Sequence, residues 1–144
     1  MAKNKSALNF VIVSALYERV HYAMVMASAA VATGRKVRLF FTMGALKALT
    51  RGTQERPGWH SLSSASGGLN PMDQDRAFAE SGIATFEELL QATAALGGEL
   101  MVCEMGMRAI GLSHGDLRSD VAIAQGGVVT FLEAVEGSGP ILFV

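Results

Sequence analysis

The chain has 144 residues, the size of one domain, and is long enough to bury a core without disulfides or metals. Its formal net charge of -1 provides no basic field for nucleic acid or an anionic membrane, and its single cysteine excludes an internal disulfide. Half of the residues are hydrophobic and 17% are charged, so we expect an apolar interface between subunits.

The beginning of the chain lacks the pattern of a secretory signal. The first ten residues, MAKNKSALNF, are basic, but the following VIVSALYERV soon brings charged residues back. The longest apolar helical run, YAMVMASAAVA, is shorter than the ~20 residues that cross a bilayer. We therefore expect a cytoplasmic protein without membrane insertion, in which the free thiol stays reduced.

Strands and helices alternate from the start of the chain. Residues 7–14 are a continuous apolar run typical of a strand buried on both faces. Residues 18–34 predict a helix closed by Gly34, and residues 35–42 predict a second strand. A short helix or turn follows and ends at Gly52.

Residues 52–70 show no period and are rich in Gly and Ser. This stretch contains the only tryptophan, Trp59, beside His60. Structureless loops of this length are uncommon in compact domains and are often functional or mobile. We therefore predict a flexible loop here.

The alternation resumes after this loop. Asn70 and Pro71 are suited to start one helix, and Thr85 with Glu88 has the spacing of a capping box at the start of the next. The later elements are a strand over 99–104, a short helix over 105–111, a strand over 120–125, a helix over 126–137 with Val128, Phe131, Leu132 and Val135 on one side, and a strand over 140–144. This pattern predicts one three-layer α/β/α domain over 1–144 with a mainly parallel five-stranded sheet.

Cys103 ends the third predicted strand, and ligands of open α/β sheets bind beyond such strand ends. The ends of the other strands, near Ser14, Thr42 and Gln125, are expected at the same edge. A helix that starts directly after Cys103 favours thiolate over thiol. Free cysteines are also among the most buried residues, so a structural cysteine stays an open alternative on pattern alone.

The segment LMVCEMGMRAIGL resembles the cysteine segment of the DsrE/DsrF-like family of small sulfur-transfer proteins. Three other stretches are similar to the family in the same order: ASAAVATGRKVRLFFTMGALKAL, AIAQGGVVTFLEAV and PILFV. The resemblance covers nearly the whole chain outside residues 52–70. It departs at Gly106, where many members have a hydroxyl residue, and at Met43, where an aromatic residue is frequent.

The resemblance implies a flavodoxin-like subunit that forms homotrimers or homohexamers and needs no cofactor. Cys103 would be the catalytic residue, carrying sulfur as a persulfide or thiosulfonate between sulfur donor and acceptor proteins or small sulfur species. Candidate ligand-binding residues are Thr42, Gly44, Glu104, Met105 and Gly106. The first alternative is a non-catalytic oligomeric binding protein with a structural Cys103.

A second alternative, a flavin or nucleotide binder, rests on fold alone, since the glycine-rich phosphate-binding motifs do not follow the first strand. The three histidines lack tight metal-ligand spacing, so we expect no metal site. His21 is expected in the core or an interface, and His60 and His114 in loops. The methionines, such as Met101 and Met107, are interpreted as packing residues.

Overall fold

The computed structural model describes residues 5–65 and 67–144 and contains one sheet of five parallel strands. The strands are β1 (Leu8–Ile12), β2 (Val37–Phe41), β3 (Glu99–Cys103), β4 (Ile123–Gly126) and β5 (Ile141–Phe143). The helices are α1 (Tyr17–Ala32), α2 (Pro71–Glu80), α3 (Phe86–Ala95), α4 (Glu104–Ala109) and α5 (Val128–Val135), with 3-10 helices at Met43–Leu49, Gly58–Ser61 and His114–Asp116. The predicted α/β fold with a five-stranded parallel sheet is confirmed.

The strand order β4-β3-β2-β1-β5 decides which face each helix covers. From β1 to β4 the chain moves stepwise in one direction, and right-handed crossovers place α1, α3 and α4 on one face. The crossover from β4 to β5 runs in the opposite direction, so the same handedness places α5 on the other face.

Side chains that alternate along the strands fill both faces. The face under α1 and α3 carries the larger core, formed from the strands by Phe10, Ile12, Leu39, Phe41, Leu100 and Val102. The face under α5 carries a small separate cluster, formed by Val11, Phe40, Met101 and Cys103 with Phe131 and Val135 of α5. Cys103 therefore belongs to the smaller core.

The predicted starts of α2 and α3 are confirmed by their caps. Asn70 Oδ1 accepts a hydrogen bond from the backbone N–H of Asp73 at 2.9 Å, and Thr85 Oγ1 accepts one from Glu88 N–H at 3.2 Å. These bonds satisfy donors that lack partners in the first turn of a helix. The predicted apolar face of α3 is buried at Phe86, Leu89 and Leu90, whereas Ala94 is half-buried.

The described part of the segment between Gly52 and Asn70 is irregular and is anchored at Trp59. It contains a 3-10 helix whose Trp59 is buried, stacks on Tyr17 with ring centroids 5.7 Å apart, and donates from Nε1 to Glu87 Oε1 at 3.1 Å. The sequence pattern did not predict this helix, because four residues are too few to show a period. Ser66 lies outside the described residues, and the flexibility of the segment stays a prediction.

The predicted apolar side of α5 is only half covered. Phe131 and Val135 are buried, but Val128 is 46% exposed and Leu132 is 50% exposed. Of these four residues, the i, i+4 pair Phe131 and Val135 packs into the cluster around Phe40.

None of the helices in residues 5–65 and 67–144 combines the length and apolarity that a bilayer crossing requires.

Candidate functional site

Cys103 and Gly126 mark the place where two neighbouring strands send the chain to opposite faces of the sheet. Cys103 ends β3, Gly126 ends β4, and the two residues are paired in the parallel register. After β3 the chain enters α4, whose Met107 joins the larger core, whereas after β4 it enters α5 over the smaller one. Such a switch point opens a crevice at the carboxyl edge and is the usual ligand site of α/β sheets.

The thiol of Cys103 lies at the start of α4. Its Sγ accepts a hydrogen bond from the backbone N–H of Gly106 at an N···S distance of 3.4 Å, so the side chain acts as the N-cap of this helix. Cys103 is only 1% exposed. The rings of Phe40 and Phe131 in the same cluster stack with centroids 4.9 Å apart, so the thiol belongs to an apolar layer beneath α5.

Gly106 brings α4 into direct contact with the end of β2. A Cβ atom added at Gly106 would lie 2.3 Å from Thr42 Oγ1 and 2.8 Å from the backbone nitrogen of Met43. This close approach leaves no room for a side chain at position 106. It also places the Thr42 hydroxyl beside the N–H group that donates to Cys103.

Met43 is the residue after Thr42 and has a backbone φ of 51°, in the left-handed region that non-glycine residues seldom adopt. This conformation costs of order 1 kcal/mol and recurs near functional sites. Gly44 follows Met43 and packs against the loop between β1 and α1, where an added Cβ would lie 2.6 Å from Ala15 Cβ. A packing role therefore accounts for Gly44, and its role in ligand binding stays a prediction.

Glu104 and Met105 lie in the first turn of α4 but face away from the apolar cluster. Met105 is 57% exposed, and Glu104 is exposed. Glu104 lines a cavity of about 310 Å³ together with Met107, Arg108, Leu112 and His114. The structure thus brings Cys103, Gly106 and Thr42 together and separates Glu104 and Met105 from them, and their predicted roles in ligand binding remain untested.

A polar network that the sequence analysis missed lies near the start of α3. Arg118, whose side chain is 10% exposed, donates to both carboxylate oxygens of Glu87 at 2.9 and 2.8 Å. It also donates from Nε and Nη2 to Asp120 at 2.8 and 2.7 Å, and its hydrogen bond lowers the pKa of Asp120 to about 2. In the sequence, only the short spacing between Arg118 and Asp120 could have indicated an ion pair, because Glu87 is distant from both.

This network forms one wall of a cavity of about 540 Å³ that also involves Arg51 and the loop 52–57. All three guanidinium nitrogens of Arg118 donate to the two carboxylates, so its charge is fully paired within the cluster. The network therefore ties Arg118 and Asp120 to Glu87 of α3.

The histidines occupy different surroundings. His21 is buried, as expected, with Nε2 at 2.9 Å from the carbonyl oxygen of Ala84. His60 is half-buried against Trp59, and burial, together with the charge of Arg56, lowers its pKa below the usual value. Within the described residues, no three His, Cys, Asp or Glu side chains gather in an arrangement that could hold a metal ion.

The geometry at Cys103 suits reversible chemistry at sulfur. The Gly106 N–H is directed at the sulfur, and the apolar layer around it favours a polarisable sulfur over a small hydrated ion. Thr42 adds a hydroxyl at the edge of the same site.

Comparisons with known proteins agree with this fold. The crystal structure of the ychN protein from E. coli aligns with 97% of this chain and 100% of its own, at a TM-score of 0.61 and 15% identity. The protein of unknown function MTH1491 from Methanobacterium thermoautotrophicum aligns over the same shares at a TM-score of 0.60 and 13% identity. No curated protein matches the sequence significantly.

These structural similarities show the fold alone, because the sequence identities are low. The family is shown by a match to a family model. The model of the DsrE/DsrF/DrsH-like family matches residues 4–143, which is nearly the whole sequence. At the level of the family, this match points to a function of the sulfur-relay type. The chain belongs to the DsrE/DsrF/DrsH-like family.

Proposed function

We propose that this protein is a sulfur carrier, acting as a sulfurtransferase, in which Cys103 accepts sulfur and passes it on as a persulfide or thiosulfonate. The observation that carries the proposal is the position of Cys103 Sγ at the switch point between β3 and β4, with the Gly106 N–H donating to it at 3.4 Å. Membership of the family supports the same chemistry.

The transfer needs one cysteine on this chain. The Cys103 thiolate attacks the outer sulfur of a donor persulfide, forms an S–S bond, and releases the donor thiolate. With thiosulfate as donor the leaving group is sulfite. An acceptor thiolate then attacks the outer sulfur of the Cys103 persulfide, and Cys103 leaves as a thiolate, so the cycle has no net oxidation at Cys103.

The residues around Cys103 have separate roles in this proposal. The Gly106 N–H and the Thr42 hydroxyl stabilise the terminal negative charge of the persulfide. Phe40 and Phe131 keep bulk water from the loaded sulfur.

We further propose that the chain works as a homotrimer or homohexamer. Several large apolar side chains on α5 and β5 support an interface there, since Val129 is 69% exposed and Phe143 is 76% exposed. Sedimentation at low concentration tests the assembly, and a sharp monomer boundary would remove this part of the proposal. Such a carrier is expected in the cytoplasm, where thiols stay reduced.

The competing function is a non-catalytic oligomeric binding protein in which Cys103 is structural. The 1% exposure of Cys103 among Phe40, Phe131 and Val135 favours this alternative. It predicts a thiol that resists alkylation until the protein unfolds and a marked loss of stability in Cys103→Ala.

Intact mass measurement separates the two functions. The native protein, Cys103→Ser and Cys103→Ala are each incubated with thiosulfate or polysulfide, and their masses are recorded with and without reductant. The carrier predicts one reducible added sulfur on the native protein alone. If Cys103→Ser takes up labile sulfur equally well, or if the native protein takes up none, the carrier function is wrong.

A further inference from the structure

Two buried polar atoms on the α5 face of the sheet have no hydrogen-bond partner in residues 5–65 and 67–144. They are Asn9 Oδ1, in β1, and Arg38 Nη1, in β2. Asn9 is fully buried, and the Arg38 side chain is 15% exposed. One atom accepts and the other donates, and Asn9 and Arg38 are register partners on adjacent strands.

The existing contacts of Asn9 identify its side-chain oxygen as the free atom. Its Nδ2 donates to Ser138 Oγ at 3.1 Å and to the Pro140 carbonyl at 3.2 Å, both just before β5. Rotating the amide by half a turn would set its oxygen against the Pro140 oxygen, so the assignment is firm. Both partners of Nδ2 precede β5, whereas Arg38, the register partner of Asn9, lies on β2 at the opposite side of β1.

Arg38 contributes the free donor. Nε lies 3.2 Å from Glu99 Oε2, on β3, the strand on the far side of β2. Nη1 lies on the side of the guanidinium opposite the Nε–H, and no acceptor in residues 5–65 and 67–144 is within hydrogen-bond reach of it. The free donor and the free acceptor therefore belong to register partners on one face of β1 and β2, and the space between these two side chains is the candidate site.

The occupant of this space must accept one hydrogen bond and donate another. An anion would meet the Asn9 oxygen, and a metal cation would meet the guanidinium, so both are disfavoured. We propose that one buried water molecule binds here, accepting from Arg38 Nη1 and donating to Asn9 Oδ1. The bound water extends a polar chain from Arg38 through Asn9 and Ser138.

This chain reaches the helix that covers Cys103. Ser138 Oγ donates to the carbonyl oxygen of Val135 at 2.7 Å, and Val135 is the last residue of α5 and part of the Cys103 cluster. The water site therefore fastens the end of α5 to the sheet. Its loss is expected to loosen α5 and to expose the thiol, independently of whether Cys103 carries sulfur.

A crystal structure and two matched variants test this site. In the native protein we expect an electron-density peak ~2.7–3.2 Å from both Asn9 Oδ1 and Arg38 Nη1. Arg38→Met removes the donor and keeps the length of the side chain, whereas Lys36→Met removes a cation that lies 3.8 Å from the same Glu99 and leaves the site intact. We expect Arg38→Met to lower the Tm by ~3–8 °C and Lys36→Met by about 1 °C or less.

The rate of Cys103 alkylation by iodoacetamide tests the link to α5. We expect Arg38→Met to raise this rate about five-fold or more through local opening, and Lys36→Met to leave it unchanged. A direct hydrogen bond between Asn9 and Arg38 in the crystal, or an empty site, would overturn the proposal. Equal losses of Tm in the two variants would also overturn the water site. An unchanged alkylation rate in Arg38→Met would overturn the proposed link between this site and α5.

Discussion

The two faces of the sheet are protected to different degrees. Under α1 and α3, side chains such as Phe10 and Phe41 are fully buried below two long helices and the Trp59 segment. Under α5, one helix of eight residues covers Phe40 and Cys103 through Phe131 and Val135 alone. We call the face under α1 and α3 the thick face and the face under α5 the thin face. The thick face contains the core that stabilises the fold. The thin face contains the thiol, which a small local opening is enough to expose.

Burial alone does not distinguish these faces, because Cys103 and Phe41 are both almost completely buried. They differ in what must move to reach them. Reaching Phe41 requires loss of the main core, whereas reaching Cys103 requires displacement of α5. A buried thiol is thus compatible with a carrier if α5 opens without global unfolding.

The largest expected effect comes from truncating the thick face. Phe41→Ala should lower the free energy of unfolding by ~3–5 kcal/mol, because it leaves a cavity that the surrounding helices cannot fill. Urea denaturation gives the value. A loss below about 1 kcal/mol would show that this face is no better packed than the other.

The matched truncation on the thin face should cost less stability and change reactivity more. Phe131→Ala is expected to lower the free energy of unfolding by ~2 kcal/mol, since solvent lies close to α5 and the site can partly collapse. The rate of Cys103 alkylation should rise at least ~10-fold, measured by mass under native conditions. If Phe41→Ala raises that rate as much as Phe131→Ala does, the distinction between the faces fails.

A substitution at Gly106 tests the edge of the thin face. In Gly106→Ala the new Cβ would collide with Thr42 Oγ1 and Met43 N, so α4 should shift and weaken the N–H bond to Cys103. We expect a loss of ~1–3 kcal/mol in stability and a clear fall in sulfur loading. Gly127→Ala, whose Cβ would meet open space, is the control.

An equal loss of sulfur loading in Gly106→Ala and Gly127→Ala would contradict a specific role for the Gly106 contact. If Gly106→Ala is less stable but still takes up sulfur, the Gly106 N–H does not contribute to sulfur transfer.

The smallest effect concerns the Trp59 segment. The pKa of His60 is lowered in the folded state mainly by burial, with Arg56 adding to the effect, so the unfolded chain binds a proton more readily. Its contribution to stability is therefore present above the unfolded pKa of about 6.5 and is lost as the pH falls through the lower folded value. His60→Gln should flatten this loss as the pH falls below about 6.5. His114→Gln serves as the control, and identical pH profiles for native protein and His60→Gln would contradict the assignment.

The succession of strands and helices was predictable because the period of apolar residues changes from strand to helix, and because Asn70 and Thr85 are strong caps. The strand order was not predictable, since β5 has three residues and its place beside β1 depends on contacts distant in sequence. The short helix around Trp59 was missed for a related reason, because its stability comes from Tyr17 and Glu87.

For the candidate site, the sequence placed Cys103 at a strand end and Thr42 at the same edge. It could not show that Phe131 covers the thiol or that Gly106 contacts Thr42, because both contacts join distant segments. Glu104 and Met105 adjoin Cys103 in sequence, yet the helical turn directs them elsewhere. Proximity in sequence is a weak guide where a strand changes into a helix.

The most direct test of the carrier function follows one sulfur atom through both half-reactions. The protein is loaded from a donor carrying an isotopically labelled outer sulfur, freed of donor, and mixed with an excess of a small thiol, with Cys103→Ser in parallel. We expect intact mass spectra to show one labelled sulfur gained on Cys103 and then lost as the label appears on the small thiol. A label that never binds, or that stays on the protein in the presence of the acceptor, would contradict a carrier role for Cys103.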